Sequence, residues 1–200
     1  NGVSEELEVK NGGKVPSLAF QHIVPNEALD YVRTSDTEVK NGYFNSSDNK
    51  WYYLDPEYVE KGSVLMEYPC PGAVDSMQME LFAQQGDVLG VFVGHDHVNN
   101  FIVNCDGVDL IMAPGVTNNS YYNEFMQGAK VIEINENNPW EYTTYTMTAN
   151  ELAMQEGSGL GDEADRNQFD YTLNYYLEKV FAFFHRILAE LFGEFVNGEL

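Results

Sequence analysis

The chain has 200 residues, of which 44% are hydrophobic and 14% aromatic. This composition supports a sizeable folded core and excludes a chain that is disordered throughout. With 10 Lys and Arg against 32 Asp and Glu, the formal net charge is −22. Such a charge argues against a nucleic-acid partner and against anionic membrane surfaces, because both are bound mainly through basic side chains. No run of about 18 apolar residues is present, so we expect no integral membrane span.

The first part of the chain predicts one strand and little other regular structure. Residues 1–14 are polar and rich in Gly and Asn, which is typical of a loop. The apolar run VPSLAFQHIV (15–24) predicts a buried strand that ends at Pro25. One or two helical turns are expected over 26–33. The stretch 35–55 is rich in Asn, Ser, Asp and Gly, which favours a long surface loop.

The middle of the chain alternates between helical and extended patterns. Residues 73–85 have apolar residues at helical spacing, and Gly86 is suited to end that helix. The run DVLGVFVG (87–94) predicts a second buried strand. Asp106-Gly107 is a typical hairpin turn. Further strands are therefore predicted on both sides of that turn within 101–114, and as a pair over 129–135 and 141–147.

The C-terminal part changes character. Its first section, 151–169, is an acidic Gly-rich linker, and the section 170–200 carries an apolar stripe of the kind found on amphipathic helices. Because Lys179 and Arg186 are the basic residues of this tail, its polar face is not that of a membrane-binding helix. We expect the tail to dock on its own domain or to associate with another helix, such as that of a second copy. The folded domain is then residues 1–150.

The two cysteines, Cys70 and Cys105, do not form a disulfide framework or a zinc-ribbon pattern. One bridge between them and two free thiols both stay open, and free thiols are favoured because unpaired cysteines are commonly buried. No cellular compartment is indicated by these residues.

Three of the four histidines follow two predicted strands. His22 ends the first buried strand, and His95 and His97 lie in the sequence GHDH directly after the second. Ligand sites form at the carboxyl ends of strands in α/β sheets, and histidine is the commonest metal ligand. Taken singly, a histidine on an apolar strand is more often a core residue, and an isolated HxH is common by chance. The combination of the two patterns predicts a metal site.

The combination resembles the calcineurin-like metallophosphoesterase superfamily, in particular its purple-acid-phosphatase-like group. The resemblance extends from about Lys14 to Met147. It rests on four stretches in the family's order: PSLAFQHIVPNE (16–27), GDVLGVFVGHDHVNNF (86–101), DGVDLIMAPG (106–115) and SYYNEFMQGAKVIEI (120–134). The resemblance implies an α/β fold, namely the second half of a two-sheet sandwich flanked by helices, to which the amphipathic C-terminal helix is added.

What the resemblance implies about chemistry is a two-metal hydrolase that cleaves phosphate esters. His22 and His95 match ligands of one metal ion, and His97 matches a ligand of the other. The cofactors would be two divalent or mixed-valence ions of iron, zinc or manganese, which activate a hydroxide and stabilise the phosphoryl oxygens. The pattern does not distinguish among a phosphomonoester, a diester, a nucleotide and a phosphoprotein as substrate.

The chain departs from the family in its first half. The family's Asp-x-His, bridging Gly-Asp and Asn-His motifs do not occur before His22, and the pair Gly86-Asp87 lies on the wrong side of it. The resemblance therefore implies the C-terminal half of a catalytic domain, which we expect to be inactive alone. Three imidazoles without a bridging carboxylate make a poor two-metal site. The alternative is a degenerate, non-catalytic binding module that kept the fold.

Other residues near these motifs are weaker candidates. Asp96 is expected to be a turn carboxylate or to support the ligands rather than to bind metal, and Asn99 and Asn100 to shape the loop. The remaining candidates are aromatic residues that could line a substrate cleft but more often serve packing: Trp51, Tyr52, Tyr53, Tyr121 and Tyr122.

Overall fold

The computed structural model describes residues 2–117 and 119–153. Both helices and strands occur along this part of the chain, as expected for the α/β class. In order they are α1 (Gly2–Asn11), β1 (Ser17–Phe20), a 3-10 helix (Asn26–Tyr31), β2 (Val32–Ser35), β3 (Tyr43–Asn45), β4 (Lys50–Leu54), β5 (Val64–Leu65), α2 (Gln78–Gln85), β6 (Val88–Val93), β7 (Asn99–Cys105), β8 (Val108–Met112), β9 (Gly128–Ile134), β10 (Tyr142–Thr148) and α3 (Ala149–Ala153).

The main sheet is mixed and has the strand order β1-β6-β8-β7-β5. Strand β6 is parallel to both β1 and β8, whereas β7 is antiparallel to β8 and to β5. The continuous apolar run of β6 fits its interior position between β1 and β8, because strands covered on both faces lack polar alternation. The parallel pair β1–β6 brings the carboxyl ends of the two predicted buried strands to the same edge of the sheet.

Both faces of the main sheet are covered. On one face Val91, Leu110 and Met112 belong to the principal core, which also includes Met79 of α2 and Leu54 of β4. On the other face, Phe92, Ile102 and Ile111 pack against Ile132 and Tyr142 of the two-stranded ribbon β9–β10. The sheet is therefore the middle layer, and its carboxyl edge is left free for the segment that follows β6.

Several predictions from local pattern are confirmed. The turn between β7 and β8 has Asp106 at φ +51° and Gly107 at φ +91°, the left-handed pair that a tight hairpin turn requires. Gly86 ends α2 at φ +69° and its N–H donates to the Phe82 carbonyl at 2.9 Å. That helix begins at Gln78, five residues later than predicted. The 3-10 helix and the β9–β10 pair also occur where helical turns and paired strands were expected.

The expectation of a loop over residues 1–14 is wrong, because Gly2–Asn11 forms a helix. The helix buries none of its residues, so tertiary packing does not explain it. Its sequence contains the helix formers Glu, Leu and Lys, and Lys10 lies 3.8 Å from Glu6 one turn earlier. Intrinsic propensity and charge pairing therefore outweigh the Gly and Asn at its ends.

The expectation of a long surface loop over 35–55 is also wrong. Strands β2, β3 and β4 form a three-stranded antiparallel sheet there, with β4 in the centre. Cross-strand aromatic pairs hold it: Tyr43 stacks on Tyr52 with centroids 5.4 Å apart, and Phe44 packs against Trp51 at 5.7 Å. Such pairs stabilise a sheet even when polar residues fill its turns. These aromatic residues therefore serve packing.

Three further expectations concern the cysteines, a membrane span and the C-terminal tail. Both Cys70 and Cys105 are free thiols, the first exposed and the second buried. In the part of the chain that the structure describes, no helix is long and apolar enough to cross a membrane. The predicted helical tail, 170–200, and all but the first three residues of the predicted linker, 151–169, lie outside the described residues.

Candidate metal centre

His22 is held at the free edge of the sheet by an extension of the β1–β6 pairing. The Gln21 N–H donates to the Phe92 carbonyl at 3.0 Å, and the Gly94 N–H donates to the His22 carbonyl at 3.1 Å. The side chains of Gln21 and Gln78 exchange two amide hydrogen bonds, of 3.0 and 2.6 Å, which tie this strand end to the start of α2. The backbone at His22 is therefore fixed from two directions.

His95 follows β6 in a tight turn. Its φ is +74°, in the left-handed region that residues with a side chain rarely adopt, and the Asp96 N–H donates to the Gly94 carbonyl at 3.0 Å. A hydrogen bond across three residues with a positive central φ is the geometry of a γ-turn, which is strained. This turn brings the ring of His95 to His22.

The two rings meet edge to face. Nδ1 of His95 lies 3.2 Å from Nε2 of His22, and the ring centroids are 5.1 Å apart at 82°. With metal–nitrogen bonds of about 2.0–2.1 Å, two nitrogens at this separation subtend roughly 100° at one ion, between the octahedral and tetrahedral values. His22 is exposed and His95 half-buried, so an ion can reach them. The spacing of this pair fits two ligands of one metal.

His97 is oriented by a different segment. Its Nδ1 lies 2.9 Å from the backbone carbonyl of Tyr121, and its ring stacks on the Tyr121 ring with centroids 4.5 Å apart and planes at 13°. The Gly115 N–H donates to the His97 carbonyl at 2.9 Å, and a Cβ at Gly115 would lie 3.1 Å from that of His97. A side chain at position 115 would therefore press on His97.

Asn99 anchors the loop that carries the two histidines of GHDH. Its side chain is fully buried and makes four hydrogen bonds. Its Oδ1 accepts the N–H groups of Met66 and Glu67 at 2.9 and 3.1 Å. Its Nδ2 donates to the Glu67 carbonyl at 3.1 Å and to Asp96 Oδ2 at 3.2 Å. An amide has two donors and two acceptor sites, so Asn99 is fully satisfied here.

Asp96, between the two histidines, points into the protein. Its side chain is 2% exposed, and its Oδ2 accepts hydrogen bonds from Asn99 and from the Cys70 N–H, the latter at 3.4 Å. Burial and the nearby charge of Glu67 raise the pKa of Asp96 to about 6, although the hydrogen bond from Asn99 opposes the rise. This agrees with the expectation of a turn carboxylate that supports the loop.

The structure brings His22 and His95 together and places His97 against Tyr121. Within residues 2–117 and 119–153, no group of three or more His, Cys, Asp or Glu is arranged to hold one metal ion. Asp87 lies just before β6, at the opposite end of the strand from His95, which agrees with excluding it as a bridging ligand. In the described part of the chain, the histidines supply part of a donor set.

Sequence reasoning missed Glu67 and undervalued Tyr121. The Tyr121 hydroxyl donates to the carboxylate of Glu67, at 3.1 Å to Oε2 and 3.3 Å to Oε1. Glu67 Oε1 also accepts the Val98 N–H at 3.1 Å. No local pattern marks Glu67, whereas Tyr121 lies in one of the stretches that carry the family resemblance.

Comparison with known proteins gives one partial similarity. A stretch of 62 residues, 31% of this chain, is 36% identical to a protein from Arabidopsis thaliana named "Probable inactive purple acid phosphatase 14". The match spans 16% of the length of that protein. No family model matches the chain, and no solved structure matches it. The similarity points to the same superfamily as the histidine motifs, over part of the chain.

Proposed function

We propose that this chain is the C-terminal half of the catalytic domain of a metal-dependent phosphoesterase of the calcineurin-like superfamily. In the complete domain it would contribute His22 and His95 to one metal ion and His97 to a second. The reaction would be the hydrolysis of a phosphate ester. The half-sandwich fold of that superfamily and the two ions, of iron, zinc or manganese, are parts of the same proposal.

The observation that carries the proposal is the 3.2 Å contact between His95 Nδ1 and His22 Nε2. These residues are 73 positions apart, and they meet because β1 and β6 are parallel neighbours that end at one edge. The γ-turn at His95 completes the approach, at a cost in backbone strain. Two imidazole nitrogens at this distance are suited to share an ion, as the resemblance implies for these two residues.

The residues of this chain would bind the metal ions and hold the loop that carries the ligands in position. The two metals, when bound, would supply an activated hydroxide and positive charge for the phosphoryl oxygens. His22 and His95 would offer nitrogen lone pairs in their neutral forms. Asp96 and Asn99 would keep the GHDH loop in place. The bridging carboxylate and the Asn-His pair would come from the first half of the catalytic domain, so the chain alone should not hydrolyse a phosphomonoester.

A second candidate is a non-catalytic binding module that kept the fold. Two observations favour it: the described residues offer no three-residue metal group, and the relative from Arabidopsis carries the words "probable inactive" in its name. The coding sequence upstream of Asn1 separates the candidates. Asp-x-His, Gly-Asp and Asn-His motifs there, in that order, support the enzyme. A start codon immediately before Asn1 favours the module.

Metal titration tests the metal centre of the first candidate. Isothermal titration calorimetry with Zn²⁺ and with Mn²⁺ would compare the intact chain with His22→Ala, His95→Ala and His97→Ala variants. We expect His22→Ala and His95→Ala each to lose affinity by at least tenfold, because these two residues would share one ion. The matched control is His185→Ala, at the fourth histidine of the chain, which should bind as the unaltered protein does. Binding that neither His22→Ala nor His95→Ala weakens, or an equal loss in the control, would overturn the proposed metal centre.

Activity measurement tests the incomplete donor set. The intact chain, supplied with Mn²⁺ or Zn²⁺, should show little or no hydrolysis of p-nitrophenyl phosphate. Turnover well above background that disappears in His97→Ala would show that this chain completes the site by itself. The assignment of the chain as a catalytic half would then be wrong, although the phosphoesterase activity would be established.

A further inference from the structure

We propose that Tyr121 and Glu67 are positioning residues for His97, which together fix the tautomer and the direction of its ring. The inference rests on the proposed function in assigning His97 to a metal. The contacts on which it depends are those of the metal-free protein. We call the two residues, with the contacts described below, the Glu67–Tyr121 clamp.

The first contact fixes the position of the proton on His97. A backbone carbonyl can only accept a hydrogen bond, so the 2.9 Å contact of His97 Nδ1 with the Tyr121 carbonyl requires a proton on Nδ1. In the neutral ring, Nε2 then carries the lone pair. Metal-binding histidines commonly donate their other N–H to a carbonyl or a carboxylate in this way. The clamp thus prepares Nε2 as the ligand atom.

The second contact fixes the plane of the ring. The Tyr121 ring lies nearly parallel to that of His97, with centroids 4.5 Å apart. The same residue therefore holds His97 at its face and at one nitrogen. Rotation of the His97 ring about its Cβ–Cγ bond would break both contacts together.

The third set of contacts connects Tyr121 to the loop of His97. The Glu67 carboxylate accepts the Tyr121 hydroxyl, and its Oε1 also accepts the Val98 N–H at 3.1 Å. Val98 follows His97 directly, so Glu67 joins the two segments whose relative position sets the ring. The backbone of Glu67 is itself held by Asn99 on both its N–H and its carbonyl. Tyr121 is 55% exposed and depends on this link more than a core residue would.

The tautomer can be read directly from the metal-free chain by long-range ¹H–¹⁵N correlation NMR of the ¹⁵N-labelled imidazoles, at a pH where the ring is neutral. We expect the Nδ1–H form for His97 in the unaltered protein. Tyr121→Phe keeps the ring and the carbonyl but removes the hydroxyl, and Glu67→Gln keeps the size of the side chain. Each variant should shift the His97 signals toward a mixture of tautomers.

The matched control is Tyr145→Phe. Tyr145 also donates its hydroxyl to a glutamate, Glu133, at 3.4 Å, but on the β9–β10 ribbon. This variant should leave the His97 tautomer unchanged. If both clamp variants lower only the melting temperature and leave the His97 signals as they were, the two residues have a structural role alone and the proposal is wrong.

The failures of the two proposals can be distinguished. An Nε2–H tautomer of His97 in the unaltered chain overturns the clamp, whatever the metal titration shows. An Nδ1–H tautomer that the variants disturb, in a chain whose Zn²⁺ binding depends on neither His22 nor His95, supports the clamp and overturns the metal centre. Should Tyr121→Phe fail to fold, the tautomer of the unaltered chain and the Glu67→Gln variant still decide the question.

Discussion

Removing the side chain of Asn99 should be the most damaging single change to the loop that carries GHDH. Asn99→Ala deletes four hydrogen bonds in a fully buried position: two from Met66 and Glu67 N–H groups, one to the Glu67 carbonyl and one to Asp96. Each bond contributes about 1 kcal/mol net, and buried partners left unsatisfied cost more. Because water can enter the space and such effects overlap, we expect a loss of about 2–4 kcal/mol in the free energy of unfolding.

The measurement is urea unfolding of the full chain followed by tryptophan fluorescence, with calorimetry for the melting temperature. For a protein of this size, about 2–4 kcal/mol corresponds to a fall of roughly 5–15 °C. The control is Asn100→Ala, one residue further along β7, where the side chain accepts one hydrogen bond, from Thr146 at 3.1 Å. That variant should lose less than about 1.5 kcal/mol. Equal losses in the two variants would refute the idea that Asn99 anchors the loop.

Three further substitutions have outcomes that follow from local geometry. Gly115→Ala places a methyl group 3.1 Å from the Cβ of His97 and should shift the NMR signals of the His97 imidazole, whereas Gly94→Ala, whose nearest neighbour would be His22 Nδ1 at 3.7 Å, should leave the His97 signals unchanged. Burial lowers the pKa of Lys130 from 10.5 to about 8. Between these pH values the unfolded chain holds a proton on Lys130 that the folded chain has lost, so the contribution of this group to the free energy of unfolding rises with pH. Denaturant unfolding at pH 7.5 and 9.5 should therefore show an increase in the free energy of unfolding that the Lys130→Met variant lacks. His95→Gly should abolish metal binding in calorimetric titration without lowering the melting temperature, because glycine adopts a φ of +74° without strain.

The sheet could be predicted from sequence where the signals were local and strong. The apolar run of β6 and the turn at Asp106-Gly107 each determine their own structure, because burial on both faces and a left-handed turn leave few alternatives. The contact between His22 and His95 could be anticipated from their position at two strand ends. That contact requires β1 and β6 to be adjacent parallel strands. The resemblance to the family implied this arrangement, and the residues alone did not.

The three-stranded sheet could not be predicted in the same way. Between β3 and β4 the sequence is SSDN, which is typical of loops, and the strands are three to five residues long. The stabilising contacts join residues across strands, Tyr43 with Tyr52 and Phe44 with Trp51, so no single segment shows them. Polar turn residues in a short-stranded sheet therefore look like one long loop until the pairing is known.

Glu67 was missed for a related reason. A carboxylate that supports a ligand has no fixed sequence distance from it: Glu67 lies 31 positions before Val98 and 54 before Tyr121, and only the fold unites the three. The surrounding residues are irregular and carry no motif. By contrast, the histidines stand out because the chain has four of them and three lie beside apolar strands. Ligands can be recognised from sequence more easily than the residues that orient them.

The strain at His95 links the fold to the proposed metal centre. A side-chain-bearing residue in the left-handed region costs about 1 kcal/mol or more, and glycine at that position would avoid the cost. The hydrogen bond between the half-buried His95 and the exposed His22 contributes little in return, because water competes for both rings. Folding stability alone therefore gives no reason for a histidine at this point of the turn. An ion held between the two nitrogens would supply one, since its binding energy would exceed the strain. For that reason the comparison of His95→Gly with the unaltered chain is informative: equal or greater stability together with loss of metal binding would mean that the residue serves the site, and a large loss of stability would mean that it serves the fold.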